Sequence, residues 1–471
     1  MRKMMDNTKA EIVKKAIAFV VAWITIVFCV LPMDDLPIWN GEIPDHRNQY
    51  ELMAEAILAS RIDFAYGDEA ELDALENPYD PNERDEKGVQ YHWDHAYYNG
   101  RYYMYFGIVP VLLVFLPYRV ITGTALTTFR ATQFFAAVII AGIFALFRLL
   151  SKRFFKKMPF GLYLSLSVAF SVMSIWYAMA EPALYCTAIT AAVALEVWSI
   201  FFYIKAVYWE KNENKQILFA AIGALLGALV FGCRPPVALA NIVVIPLLFV
   251  FLKEHPFSKK LAGKLALAAT PYLLVAMGLM TYNYVRFDNP FEFGQAYQLT
   301  VTDQSNYSLA INGSQLLRMV NETINHFFAF KNLTETFPYI QTSSVFFNFP
   351  ILFFSIIVLF PPVGERAKKT KVFPFLLGLA ISVFMITAID ILWSPYLLER
   401  YRMDIYFLMG IGCFLALGMW YEESRKKKWL AALLYSLSIA TVVSSFLLYV
   451  RTVGDYYPDK INEFANVLGV R

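Results

Sequence analysis

The chain is 471 residues long, 58% hydrophobic and only 17% charged, with a formal net charge of +3. Soluble globular domains average about 25% charged residues. The apolar surplus here excludes a single compact water-soluble core and points to an all-α polytopic membrane protein. The small positive balance carries no nucleic-acid signal, because the basic residues fall in connecting loops rather than on one face.

The chain begins with a charged stretch in which Lys14 and Lys15 precede an apolar run from Ala16 to Leu31. No small-x-small cleavage pattern follows it. Cys29 follows the bulky Ile26, Val27 and Phe28, which does not suit lipoprotein processing, so the segment reads as an uncleaved first span. About eleven runs are long enough to cross a bilayer, near 15–33, 126–147, 159–180, 184–204, 217–234, 237–252, 264–284, 343–361, 373–391, 404–421 and 429–449. The four cysteines, Cys29, Cys186, Cys233 and Cys413, all lie in or beside these runs, so neither a disulfide framework nor a zinc site is expected.

The loops alternate in charge. MRKMMDNTKAEIVKK, RLLSKRFFKK, YWEKNENK, KEHPFSKK, GERAKKTK and EESRKKK are short and rich in Lys and Arg, which places them in the cytoplasm. The remaining connections then face outward: a first large loop over 34–104, the AEPALY and CRPP turns, a second large loop over 286–341, the region around 394–402, and a tail over 451–471. The alternation holds only if 105–122, with Pro110 and Pro117, is a juxtamembrane or re-entrant helix on the outer side.

In the first loop, PDHRNQYELMAEAIL predicts a helix from about His46, with Leu52, Met53, Ala56 and Ile57 forming an apolar stripe against lipid or neighbouring spans. Asp45, before that helix, reads equally well as an N-cap or as a functional acid. DEAELDALE over 68–76 reads as a solvated acidic face. Asp34 and Asp35 have the chemistry to bind a divalent cation, and His92 and His95 flank Trp93–Asp94, but neither group indicates a metal site and no cofactor is expected.

Polar residues gather where the outward connections meet the spans. They are Asp45, His46 and Tyr50; Asp94, Arg101, Tyr103 and Tyr105; Glu181 before Pro182; Arg234 before Pro235; and Arg400 with Tyr401. Arginine pairs bidentately with phosphate, a carboxylate serves as general base, and tyrosine offers a flat face to a sugar. Capping, termination of a span in water, and snorkelling remain the bland readings of Asp45, Glu181 and Arg234, respectively.

The ordered set resembles the GT-C glycosyltransferases, polytopic enzymes that use polyprenyl-phosphate sugars, and within them the protein mannosyltransferase and aminoarabinose transferase branch. PDHRNQYELMAEAIL is similar to the branch's acid-bearing start of a juxtamembrane helix, with one extra residue before Tyr50 and His46 in place of a second acid. Tyr98–Gly107, Pro110, Thr122–Gly123, Glu181–Pro182, the glycine-rich run ending at Arg234, and Arg400–Tyr401 are similar to later family elements; the family's lysine is absent.

The resemblance implies a GT-C-like bundle and transfer, with inversion, from a polyprenyl-phosphate sugar to an acceptor on the outer side, whether protein, lipid or cell-envelope glycan. Asp45 and Glu181 would be catalytic. Arg234, Arg400 and Arg101 would hold the donor phosphate. His46, Tyr50, Asp94, Tyr103, Tyr105 and Tyr401 would line the substrate. The implied location is the cell membrane, N-terminus inside and C-terminus outside. A lipid-linked saccharide transporter or flippase, or a non-catalytic scaffold on the same fold, are the alternative readings.

Overall fold

The computed structural model describes residues 2–30, 48–305, 312–330, 333–394, 397–456, 458–467 and 469. Asp34, Asp35, Asp45 and His46 lie outside them. The architecture is that of an all-α polytopic membrane protein. Ten described helices are long and apolar enough to cross a bilayer, or eleven if one bent pair counts as a span. Their starts follow local chemistry: the Thr127, Asn212 and Ser258 side chains accept hydrogen bonds from the backbone N–H groups of Arg130, Lys215 and Leu261, capping Thr128–Phe154, Glu213–Phe231 and Lys259–Phe287.

The helices Phe160–Ala180 and Leu184–Ile204, together with Met403–Glu423, form the centre, and Lys259–Phe287 lies at the periphery. The core packs closely. Phe147 stacks on Phe414 with ring centroids 3.9 Å apart, and Gly418 lies against the Phe155 ring, where an added Cβ would come within 2.3 Å. Ser167 and Ser174 in the buried helix Phe160–Ala180 donate to carbonyls one turn back, Tyr163 O and Phe170 O, so these two hydroxyls need no water.

Two expected spans are not straight helices. The 343–361 run becomes a short helix, Val345–Asn348, then a 3-10 segment, Pro350–Leu359, which is bent by 67° from Val363–Lys369. Pro350, Pro361 and Pro362 remove donors and clash with a preceding turn, so an α-helix cannot run through. The 237–252 run is part of a broken span in which Pro235–Ala238, a 3-10 segment Leu239–Val243 and Val244–Glu254 follow one another.

The first loop is a small folded unit. Gln49–Leu58 starts after Asn48 and buries Tyr50, Met53, Ala54 and Ala56. Tyr50 stacks on Phe115 of the segment Val111–Phe115 (centroids 5.2 Å apart), so its buried face meets protein rather than lipid. His95–Tyr98 and Arg101–Met104 pair as an antiparallel hairpin, an element the sequence reading did not anticipate. The second large loop packs onto this hairpin: Asp94 N–H donates to Leu299 O, Leu299 N–H to His95 O, and Tyr97 N–H to Tyr297 O, each at 2.9 Å.

The loop unit caps one end of the bundle. Val109 N–H donates to Gly232 O at 2.9 Å, and Gly107 lies so close that an added Cβ would be 2.1 Å from that oxygen. Thr128 N–H donates to the Glu51 carboxylate at 2.8 Å. The apolar helix Val111–Thr122 is therefore tied at both ends to the same end of the spans.

Candidate functional site

A cavity of about 310 Å³ opens between the loop unit and the span ends. Trp93 and Asp94 come from the first loop and Tyr105 and Phe106 from just after it, Tyr185 from the first turn of Leu184–Ile204, Arg234 from an inter-span turn, and Gln295, Gln298 and Gln304 from the second loop. Asp390, Trp393, Arg400 and Tyr401 complete the wall. Of the expected site residues, Asp94, Tyr105, Arg234, Arg400 and Tyr401 meet here.

Arg234 is engaged by protein. Its Nε donates to both oxygens of Asp404 at 2.9 and 2.7 Å, its Nη2 lies 2.6 Å from Asp404 Oδ2, and Asp390 Oδ1 is 3.9 Å from Nη2. Burial works against the Arg234 charge, but Asp404 and then Asp390 outweigh it and hold its pKa above the ordinary arginine value. The carboxylates therefore engage this guanidinium through Nε and Nη2. Sequence reasoning places Asp390 among the polar residues of this end of the spans but assigns no site role to it or to Asp404. Their signal was an acid within or at the edge of an apolar run, where an ionisable group needs a partner.

Arg400 differs. Its guanidinium lies 4.1 Å over the Tyr185 ring and 5.6 Å from the Tyr401 ring, and among the described residues no carboxylate pairs with it. The Tyr401 ring also lies 4.9 Å from the Arg234 guanidinium and so separates the two cations. Arg286, the third arginine of the wall, donates to Met104 O and Asn283 Oδ1, both at 2.8 Å, and rests 3.9 Å over Tyr282. Of the three, Arg400 makes neither an ion pair nor a hydrogen bond to the described residues, whereas Arg234 and Arg286 each spend two of their three nitrogens on protein acceptors.

Asp94 stands in a positive-φ turn before the hairpin and is buried. Its Oδ2 accepts a short hydrogen bond from the Tyr185 hydroxyl, and its Oδ1 accepts one from Gln298 Nε2 at 2.8 Å. Burial pushes its carboxyl above the usual aspartate range, against the pull of Tyr185, Gln298 and Arg400. Tyr105 donates to Gln295 Oε1 at 2.7 Å, and Gln295 donates to Gln304 Oε1 at 3.0 Å. Burial pushes the Tyr105 hydroxyl well up as well.

The other expected residues lie elsewhere. Arg101 is on the exposed edge of the hairpin, its side chain 64% exposed and 4.0 Å from Asp63, outside the cavity wall. Tyr103 is buried against Phe287, and Tyr50 is buried within the loop unit against Phe115. Glu181 ends Phe160–Ala180 before Pro182, accepts from the Tyr177 hydroxyl at 3.0 Å and lies in electrostatic reach of Arg400, behind the wall. Among the described residues no group of three or more His, Cys, Asp or Glu side chains is placed to hold a metal ion.

Fold and cavity together define an integral-membrane helical protein with a charged chamber at one end of its spans. No family model matches the chain, and no curated protein matches it. Among solved structures it is similar to the oligosaccharyltransferase of Archaeoglobus fulgidus in the apo form, at 12% identity and a TM-score of 0.49. The match covers 93% of this chain and spans 56% of that one.

Proposed function

We propose that the protein is a membrane glycosyltransferase that moves a sugar from a polyprenyl-phosphate donor to an acceptor entering the same chamber. The observation that carries this reading is the Arg400 guanidinium, which lines the cavity, makes no ion-pair contact among the described residues, and is held beside Asp94 through Tyr185. An anion whose lipid chain lies in the bilayer meets Arg400 at the end of the spans. Its sugar then fills the space bounded by Trp93, Tyr105, Gln295 and Trp393.

Asp94 takes the proton of an acceptor hydroxyl or amine as that atom attacks the anomeric carbon from the face opposite the phosphate. The bond from that carbon to the phosphate oxygen breaks, the configuration inverts, and the electron pair leaves on the phosphate. Arg400 stabilises the charge that grows there. Asp45, outside the described residues, remains a second carboxylate for the same task, and Glu181 acts on the field around Arg400. Arg101 has no part in donor binding.

The test is transfer of labelled sugar from a polyprenyl monophosphate by the purified full-length protein. Arg400→Ala and Asp94→Asn should each abolish most turnover. Wild-type rates in both would overturn the assignment. The transporter reading rests on Glu196, a carboxyl inside a span beside the broken helix. Movement of an intact lipid-linked sugar across vesicles without any transfer would support it instead.

A further inference from the structure

The second large loop carries a helix, Gly313–Phe328, that stands outside the chamber wall. Its start is fixed locally: the Asn312 side chain accepts from Gln315 N–H at 2.9 Å, and Gln315 Oε1 accepts from Asn312 N–H at 3.4 Å. At 16 residues it is about 24 Å long, too short to cross a bilayer, and it carries Arg318, Glu322 and His326. Its side chains sort into three arcs around the axis. Gln315, Arg318, Met319, Glu322 and His326 share the arc turned to the protein, with His326 buried at its centre. Leu316, Leu317, Val320, Ile324 and Phe328 form an exposed apolar arc about 120° wide. Ser314, Asn321 and Asn325 form a narrower exposed polar strip beside it. A helix between protein and water needs two faces. Three faces fit protein, water and an apolar medium.

Two tethers set the depth and direction of this helix. Phe373–Trp393 has 21 residues, about 31 Å, and so reaches from one edge of a hydrocarbon core to the other. Its C-cap, Ser394, marks that edge at the chamber end. Arg318 Nη2 donates to Ser394 O at 2.6 Å, which puts the second turn of Gly313–Phe328 at this level. At the other end, Ala329 O accepts from Ser344 N–H at 3.1 Å and from Ser343 Oγ at 2.9 Å, just before the bent segment begins at Val345. The tethers are about 16 Å apart along the helix, and both lie where a membrane segment meets the surface, so the axis runs along the membrane plane. The apolar arc also continues onto the bent segment. Phe328 packs on Phe346 with ring centroids 5.2 Å apart, Phe346 stacks on Phe353 at 4.5 Å, and the exposed Ile356 and Leu359 follow.

We propose that Gly313–Phe328 is an interfacial helix, docked by its apolar arc into the lipid leaflet at the chamber end of the spans. Water on that arc would leave five large apolar side chains exposed at the level where hydrocarbon begins. A partner protein would have to cover a strip that continues along the bent segment as far as Leu359. Lipid covers the arc and the segment together, and the polar strip of Ser314, Asn321 and Asn325 then meets the headgroups and water. The docked helix holds Arg318 against Ser394, which lines the chamber beside Trp393 and Leu398, so contact with the leaflet steadies that part of the wall.

The test is carbene labelling of the full-length protein in phosphatidylcholine nanodiscs with a bilayer-dissolved aryl diazirine, read residue by residue by fragment mass spectrometry. Leu273 and Leu274, exposed on the peripheral helix Lys259–Phe287, calibrate full contact with lipid. Leu317, Val320 and Ile324 should carry label at a comparable level, and Ser314, Asn321 and Asn325 several-fold less. Leu317→Glu with Ile324→Glu should release the helix, read as several-fold faster hydrogen exchange across 313–328 with exchange in the spans unchanged. Asn321→Glu with Asn325→Glu, on the polar strip, should leave exchange as in wild type. Equal labelling of arc and strip, or no label on either, would overturn the proposal. So would an arc that is protected from label and cross-links to the same arc of a second copy. Sugar transfer enters none of these readouts, so the outcome is independent of the chamber's chemistry.

Discussion

Arg400 lies over the face of Tyr185 at 4.1 Å, and the hydroxyl of the same ring donates to Asp94. One side chain thus sets both the cation and the carboxylate of the chamber. The ring face attracts the guanidinium through its quadrupole, and the hydroxyl favours the charged form of the acid. Tyr185→Phe separates the two roles. The stacking survives, so donor KM should change little. Asp94 loses a hydrogen bond that opposes its upward shift, so its pKa rises further. A base works only when deprotonated, so the acid limb of the kcat profile should move to higher pH. An unchanged profile would remove Asp94 from proton transfer.

Arg234 and Arg400 should fail in different ways. Arg234→Ala leaves Asp404 and Asp390 buried without a counter-charge. Breaking a buried pair in this manner costs about 3–5 kcal/mol, so the variant should unfold earlier in a thermal scan. Joint replacement, Arg234→Gln with Asp404→Asn, should recover part of that loss. Arg400→Ala breaks no ion-pair contact among the described residues and should keep the wild-type Tm while losing activity.

Glu51 gives a pH signature of its own. Burial raises its carboxyl to about 7, although the Thr128 N–H pulls the other way. The unfolded carboxyl titrates near 4.3. The folded form therefore prefers the proton: stability is full below the unfolded pKa and is lost as pH rises through 7. The difference is on the order of 3–4 kcal/mol. Glu51→Gln retains an oxygen for Thr128 N–H and should flatten this dependence, as read by thermal unfolding between mildly acidic and neutral pH. An equal slope in variant and wild type would contradict the assignment.

Gly227 tests the polar seam within the spans. A Cβ there would lie 2.1 Å from Asn241 Oδ1 and 2.9 Å from Ser199 Oγ. Gly227→Ala must displace Asn241, which holds the 3-10 break at Leu239–Val243 through Gly227 O and Ala238 O. A loss of about 1–3 kcal/mol is expected, measured by denaturation in detergent. Gly263→Ala, with open space around the added carbon, is the control.

Hydropathy and loop charge made the spans legible, because both are local properties of sequence. The chamber was partly legible for the same reason: Asp94, Tyr105, Arg234, Arg400 and Tyr401 stand where apolar runs stop. What stayed hidden depends on distance. The partner of Arg234 is 170 positions away in Asp404, so a residue that reads as a phosphate ligand is also held by a carboxylate. Arg101 sits in a tyrosine-rich stretch, yet hairpin register turns it outward. Glu196 vanished within a run whose average hydropathy hides one acid, and the Asn241 that faces it belongs to another helix. Prolines marked the bend after Leu359 in plain sight, but a hydropathy window weighs them as ordinary residues.

The most direct measurement is the affinity of a short-chain prenyl monophosphate for the purified protein by titration calorimetry, compared among wild type, Arg400→Ala and Arg101→Ala. Charge-assisted hydrogen bonds contribute about 1.5–3 kcal/mol, so Arg400→Ala should weaken binding by roughly 10-fold to 150-fold, with Arg101→Ala equal to wild type. Equal affinity in wild type and Arg400→Ala would contradict the account.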